Sequence, residues 1–141
     1  MRFMMIVKAS KESEAGVLPT KELVAAMGRF NESMVDAGVM LAGDGLQPSS
    51  LGARVAYAGT KRVVTDGPFA EAKELIAGYW VIEVASKQEA LDWALRIPFE
   101  DGEVEVRQVF ETADFPAEVL PPDEAAREQA LAQKLRAKAA R

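Results

Sequence analysis

Residues 65–74 read TDGPFAEAKE and place Asp66, Glu71, Lys73 and Glu74 within one short stretch, beside Phe69 and just before Tyr79 and Trp80. Pro68 fixes its own φ and pushes Gly67 toward extended backbone, so the turn is stiff and its side chains are aimed. Asp66 or Thr65 can accept amide hydrogens from the chain that follows. Glu71, Lys73 and Glu74 are expected on a helical turn, with Glu71 and Glu74 sharing a face and Asp66 near its positive end. Two readings follow. In the structural one, Asp66 is a cap and the other charges are a solvated face, both common features. In the chemical one, Asp66 is a general base, Lys73 balances an anionic substrate and Tyr79 donates a hydrogen bond. Phe69 and Trp80 then form a wall that raises the aspartate's pKa by desolvation.

Composition narrows the chemistry. The 141 residues include no cysteine and no histidine. Thiolate nucleophiles, disulfides, thiolate zinc sites and an imidazole base are therefore excluded. Ser49 and Ser50 have no histidine to activate them, so a serine nucleophile is not expected. Asp44 is a further ligand-binding candidate in the turn-rich GDGLQPSSLG. With Asp66 it would offer oxygen ligands to Mg²⁺, but glycine-flanked aspartates in turns are ordinary. No metal or other cofactor is expected. A net charge of -5 argues against a broad phosphate-binding stripe, hence against direct nucleic-acid binding. The chain has neither a secretory signal core nor a membrane-length apolar run, and a cytoplasmic location is expected.

The elements that must position these residues are legible from periodicity. Residues 2–8 predict a strand apolar on both faces, with Phe3, Met5 and Val7 opposite Met4 and Ile6. Thr20 caps a helix striped by Leu23, Met27, Phe30 and Met34 and ending near Gly38. Gly28 inside it suggests a close helix contact, and residues 39–42 form a short strand. Residues 54–58 and 62–65 form a hairpin across Gly59 and Thr60. Residues 76–84 are the strongest strand signal, with Trp80, Ile82 and Val84 opposite Tyr79, Val81 and Glu83. Ser86 and Glu89 form a capping box for a helix over 87–97, with Leu91, Ala94 and Leu95 inward. Residues 103–110 alternate, placing Val104, Val106 and Phe110 inward.

The order is a split βαβ repeat with an inserted hairpin, an α+β arrangement whose simplest closure is a ferredoxin-like antiparallel sheet with both helices on one face. Two strands nevertheless want both faces dry. A second copy of the chain is expected to cover the open face, giving a homodimer packed sheet to sheet. The alternative cover is the tail. Residues 113–141 are expected to form a linker and a charged helix. Leu131 and Leu135 are that helix's only large apolar residues, which predicts a frayed, partly disordered surface helix.

The run DGPFAEAKELIAGYWVIEV, followed by SKQEALDWALRIP and VEVRQV, resembles the DGPF branch of the YCII-related proteins. LAGDGLQPS matches that family's AGxGLxP turn at Ala42, Gly43, Gly45, Leu46 and Pro48. The resemblance covers residues 2–110 within an expected domain of residues 1–112. It implies the dimeric α/β-barrel form of the ferredoxin-like fold. The histidine and aspartate pair attributed to the better-known branch is absent, since this chain has no histidine. What carries over is Asp66, Gly67, Pro68 and Phe69, then Glu71, Lys73 and Glu74. Some family members resemble neighbours of extracytoplasmic-function sigma factors. The resemblance thus implies either carboxylate acid-base chemistry on a small molecule beside the DGPF turn or a non-catalytic sensing or docking module, and both readings stand.

Overall fold

A computed structural model describes residues 1–140 in two units, Met1–Gln108 and the segment from Val109 onward. In the first unit, β1 (Arg2–Lys8), β2 (Met40–Gly45), β5 (Ile76–Glu83) and β6 (Val104–Gln108) form one antiparallel sheet in the order β2-β5-β1-β6. Helix α2 (Lys21–Asp36) joins β1 to β2, and α3 (Lys87–Ala94) joins β5 to β6. This is the ferredoxin-like split βαβ. A hairpin of β3 (Ala53–Ala58) and β4 (Lys61–Asp66) forms a separate two-stranded sheet.

The helices form where their caps and stripes demand. Thr20 Oγ1 accepts the Leu23 amide at 3.1 Å. At the other end Gly38 takes φ 72°, and the Gly38 and Val39 amides donate to the Val35 and Met34 carbonyls, closing a Schellman turn. Phe30 and Met34 from α2 and Ala90 and Trp93 from α3 bury against Phe3, Met5, Trp80 and Ile82. Phe30 meets Trp80 edge-on at 5.6 Å and Trp93 at 6.4 Å. Such geometry suits the ring quadrupoles. Both helices therefore cover one face of the sheet.

Several boundaries differ from expectation. Helix α3 ends at Ala94, and the tight turn after it sends the Arg96 and Ile97 amides to the Trp93 and Ala94 carbonyls. Ile97 thereby turns into the core and Leu95 turns out, 83% exposed, instead of inward. Phe110 also faces out, because pairing of β6 with β1 ends at Gln108 opposite Phe3. Beyond it the strand has almost no partner left, and Phe110 packs on Phe115. A slip between Met40 and Ala42 carries β2 on to Gly45. A polar one-turn helix, α1 (Lys11–Glu14), was not expected; Ser10 and Ser13 cap each other's backbone there, with no apolar stripe to announce it.

Gly28 makes no close helix contact: a Cβ there would meet nothing within 4 Å. Gly28→Ala is expected to stabilise the protein by roughly 0.5–1 kcal/mol through helix propensity and unfolded-state entropy. A urea midpoint that stays put or falls would show that the position is constrained.

In the second unit a 3₁₀ turn, Thr112–Asp114, precedes α4 (Pro122–Ala139). Pro122 sits in the first turn with Asp123 and Glu124, and Arg136 and Lys138 lie in the last, as the macrodipole favours. No residue of α4 is buried. Among the described residues, no helix is long and apolar enough to cross a membrane.

Candidate functional site

Strands β1 and β2 end, and β5 begins, at one end of the sheet. Gly45 pairs with Gly78, and the Leu46 amide donates to the Ala77 carbonyl at 2.8 Å. From Gly45 three residues of chain lead to a 3₁₀ turn at Ser49–Leu51, against which the DGPF turn docks. Gly67 donates its amide to the Gly52 carbonyl at 3.0 Å and presses on the Ser49 carbonyl, so closely that a Cβ would lie 1.8 Å from that oxygen. The peptide bond from Gly67 to Pro68 is cis.

Ser49 is the hub of this docking. Its Oγ accepts the Phe69 amide at 3.1 Å and donates to Glu14 Oε1, while its own amide donates to Glu14 Oε2 at 2.9 Å. These two bonds stabilise the carboxylate and hold Glu14 below the ordinary glutamate range. The exposed Arg54 guanidinium lies 3.8 Å over the Phe69 ring, a cation–π contact. The expected cap is thus supplied from elsewhere: the Phe69 amide goes to Ser49, and neither Thr65 nor Asp66 receives it.

The depressed Glu14 carboxyl has a pH consequence. Its pairing contributes fully above the unfolded value near 4.3 and is lost as pH falls through the lowered folded value. Relative to Glu14→Gln, the wild type is expected to have a higher urea midpoint at neutral pH, and the gap should close in acid. An unchanging gap from neutral pH down to full protonation would show that the Ser49 contacts do not depend on the charge.

On the open face of the sheet, Asp44 of β2 pairs with Tyr79 of β5, and Tyr79 pairs with Ile6 of β1, which pairs with Glu105 of β6. The Tyr79 hydroxyl donates to Asp44 Oδ2 at 3.1 Å, and that carboxylate pushes the phenol's pKa up. Ile6, Met4 and Val81 are half-buried on the same face. Lys8 Nζ stands 3.6 Å from Glu105 Oε1. The sequence had singled out Asp44 and Tyr79 but neither Lys8 nor Glu105. Strand parity, counted from Met4 and Ile6, was the available signal for Lys8.

The remaining candidates are dispersed. Asp66, at the end of β4, is exposed, as are Glu71, Lys73 and Glu74. Among the described residues, none of these four side chains makes a hydrogen bond or ion pair with another side chain. Glu71 has a left-handed φ of 61°, so it precedes the 3₁₀ turn Ala72–Glu74 instead of sharing a helical face with Glu74. Phe69 stands in the docked turn. Trp80 faces the helices, 4% exposed, and its Nε1 donates to Asn31 Oδ1 at 2.9 Å. It therefore lines the core rather than a wall beside Asp66. Among the described residues, no three acidic side chains converge as a metal site would require.

The YCII-related domain matches residues 1–113. The chain belongs to the YCII-related family. An uncharacterised protein of Rhizobium meliloti (strain 1021) is 35% identical to this YCII-related chain over 85 residues, which are 60% of this chain and 64% of that protein. The chain thus spans slightly less than two thirds of that relative's length. A solved structure of 5-chloro-2-hydroxyhydroquinone dehydrochlorinase from Burkholderia phenoliruptrix, in complex with 2,5-dihydroxybenzoquinone, aligns with a TM-score of 0.43 and 14% identity. It covers 82% of this chain and 100% of its own. A score of that size assigns no function to this YCII-related chain.

Proposed function

We propose that this YCII-related protein binds and transforms a small molecule on the open face of its sheet, at the end where the DGPF turn docks. The observation that carries the reading is the Tyr79 hydroxyl on Asp44, set beside half-buried Ile6, Met4 and Val81. A few polar groups converging on an apolar floor are the usual composition of a small-molecule site. Asp44 is acceptor-only and can take a proton from a bound hydroxyl or acidic C–H. Once Asp44 is protonated it no longer needs the Tyr79 proton, and the Tyr79 hydroxyl, held protonated until then, can turn that one proton to the oxygen on which charge develops. Lys8 supplies positive charge on that face, and Phe69, Asp66, Glu71, Lys73 and Glu74 form the rim. Asp66, first named as the base, becomes a rim carboxylate in this reading. A second copy of the chain covers the floor, since strands apolar on both sides are otherwise left half-wet.

Native mass spectrometry of gently purified wild type, Asp44→Asn and Asp66→Asn tests the reading. A dimer carrying a small mass in wild type and Asp66→Asn, but not in Asp44→Asn, is the expected result. Retention and turnover in Asp44→Asn equal to wild type would remove Asp44 from the chemistry. A ligand that is held yet never transformed would favour sensing, and a monomer would overturn the covered face.

A further inference from the structure

On the helix side, remote from Asp44 and Tyr79, a groove of about 520 Å³ runs between α3 and β6. Leu91, Leu95 and Val104 line it, and Glu100, Asp101 and Glu103 stand along its rim. Among the described residues lining it there is no lysine or arginine. Leu95 is the large apolar residue that α3 turned outward, and Val104 lies on the outermost strand of the sheet. An apolar channel with an acidic border is shaped for a helix whose narrow apolar stripe is edged by cations.

The chain makes such a helix. Residues 129–139 of α4, QALAQKLRAKA, contain three basic residues and no acidic one. Leu131 and Leu135 stand one turn apart, and Lys134 and Lys138 share their side of the helix. Both leucines are exposed, at 54% and 69%. We propose that the groove between α3 and β6 takes the C-terminal helix of a second copy of the chain, Leu131 and Leu135 entering it and Lys134 and Lys138 meeting Glu100, Asp101 and Glu103. Charge complementarity carries the choice. The opposite signs give the docked helix a register, and they make the contact sensitive to salt. The exchange needs no ligand, so it stands or falls apart from the proposed chemistry.

The absence of native cysteine makes the test direct. Full-length Leu95→Cys is mixed with full-length Leu135→Cys under mild oxidation, and the cross-linked pair is followed on a gel. All three substituted positions are exposed in the folded chain, the control being Leu18→Cys mixed with Leu135→Cys. The Leu95 pair is expected to link at least tenfold faster than the control, with the advantage shrinking in about 0.5 M salt. Linking no faster than the control overturns the proposal. So does a Leu95→Cys, Leu135→Cys double variant that closes within one chain at a concentration-independent rate while the mixture does not link, because the occupant is then the chain's own tail.

Discussion

Gly67→Ala is expected to lower stability by about 3 kcal/mol, at the upper end of what overpacking costs. A Cβ at this position would sit 1.8 Å from the Ser49 carbonyl oxygen and 2.7 Å from its carbon. Both are backbone atoms, so no rotamer change relieves the clash. The 3₁₀ turn and the DGPF turn must separate. Separation removes the bond from the Gly67 amide to Gly52, breaks that from the Phe69 amide to Ser49, and frees Phe69 from Arg54. The glycine is therefore needed for close approach, not for a left-handed φ. Hydrogen exchange gives the sharper readout. The Phe69 amide is expected to lose its protection while amides of β1 and β5 keep theirs, because the turn can detach without opening the main sheet. A urea midpoint within about 0.5 kcal/mol of wild type, with Phe69 still protected, would show that the contact is looser than the geometry implies. Because the proposed site has this turn on its rim, Gly67→Ala is also expected to release any retained small molecule.

That contact also marks where the sequence stops being informative. The stiffness of TDGPF was readable from proline and glycine alone, because those preferences are local. Its docking partners were not. Ser49 is 18 residues away from Gly67, and Glu14 is 35 residues from Ser49. No periodicity links them, and in the sequence Ser49 reads only as a hydroxyl without a base. The sheet was legible for the opposite reason: alternation in β1 and β5 and the stripe of α2 report burial directly. The same alternation overreached in β6, where Phe110 continues the pattern after β1 has run out as a partner. In α3 the pattern places Leu95 inward only for a helix that runs through residue 97. A helix ending at Ala94 rotates the next residues off that stripe. Of the site residues, Asp44 and Tyr79 stand out in the sequence by type, and only strand register shows that they face each other.

Tyr79 and Trp80 are neighbours in sequence, and the fold separates their consequences. Trp80→Ala is expected to cost about 3–5 kcal/mol, the range for removing a buried large aromatic. Its ring sits against Phe30 and Phe99. Part of the ring overlies β2 at Gly43, where an added Cβ would lie 2.6 Å from Trp80 Cδ1. The Met40 side chain of β2 reaches the same spot, its Cε 2.8 Å from that Cβ position, but a thioether end is far smaller than an indole, so a cavity remains. Asn31 also loses the indole hydrogen bond, a further cost where the amide is only half-buried. Tyr79→Phe, one residue earlier on the outer face, removes one hydrogen bond to an exposed carboxylate and is expected to cost under about 1 kcal/mol. Thermal or urea unfolding of the two variants side by side decides the matter. A large loss at Trp80 with a small one at Tyr79 fits a core residue behind a site residue. Comparable small losses would mean that the indole is not the keystone of the helix-side core, and would return it to consideration as a wall for a ligand. The pair thus separates packing from chemistry across a single peptide bond, since alternation along β5 sends adjacent side chains to opposite faces of the sheet.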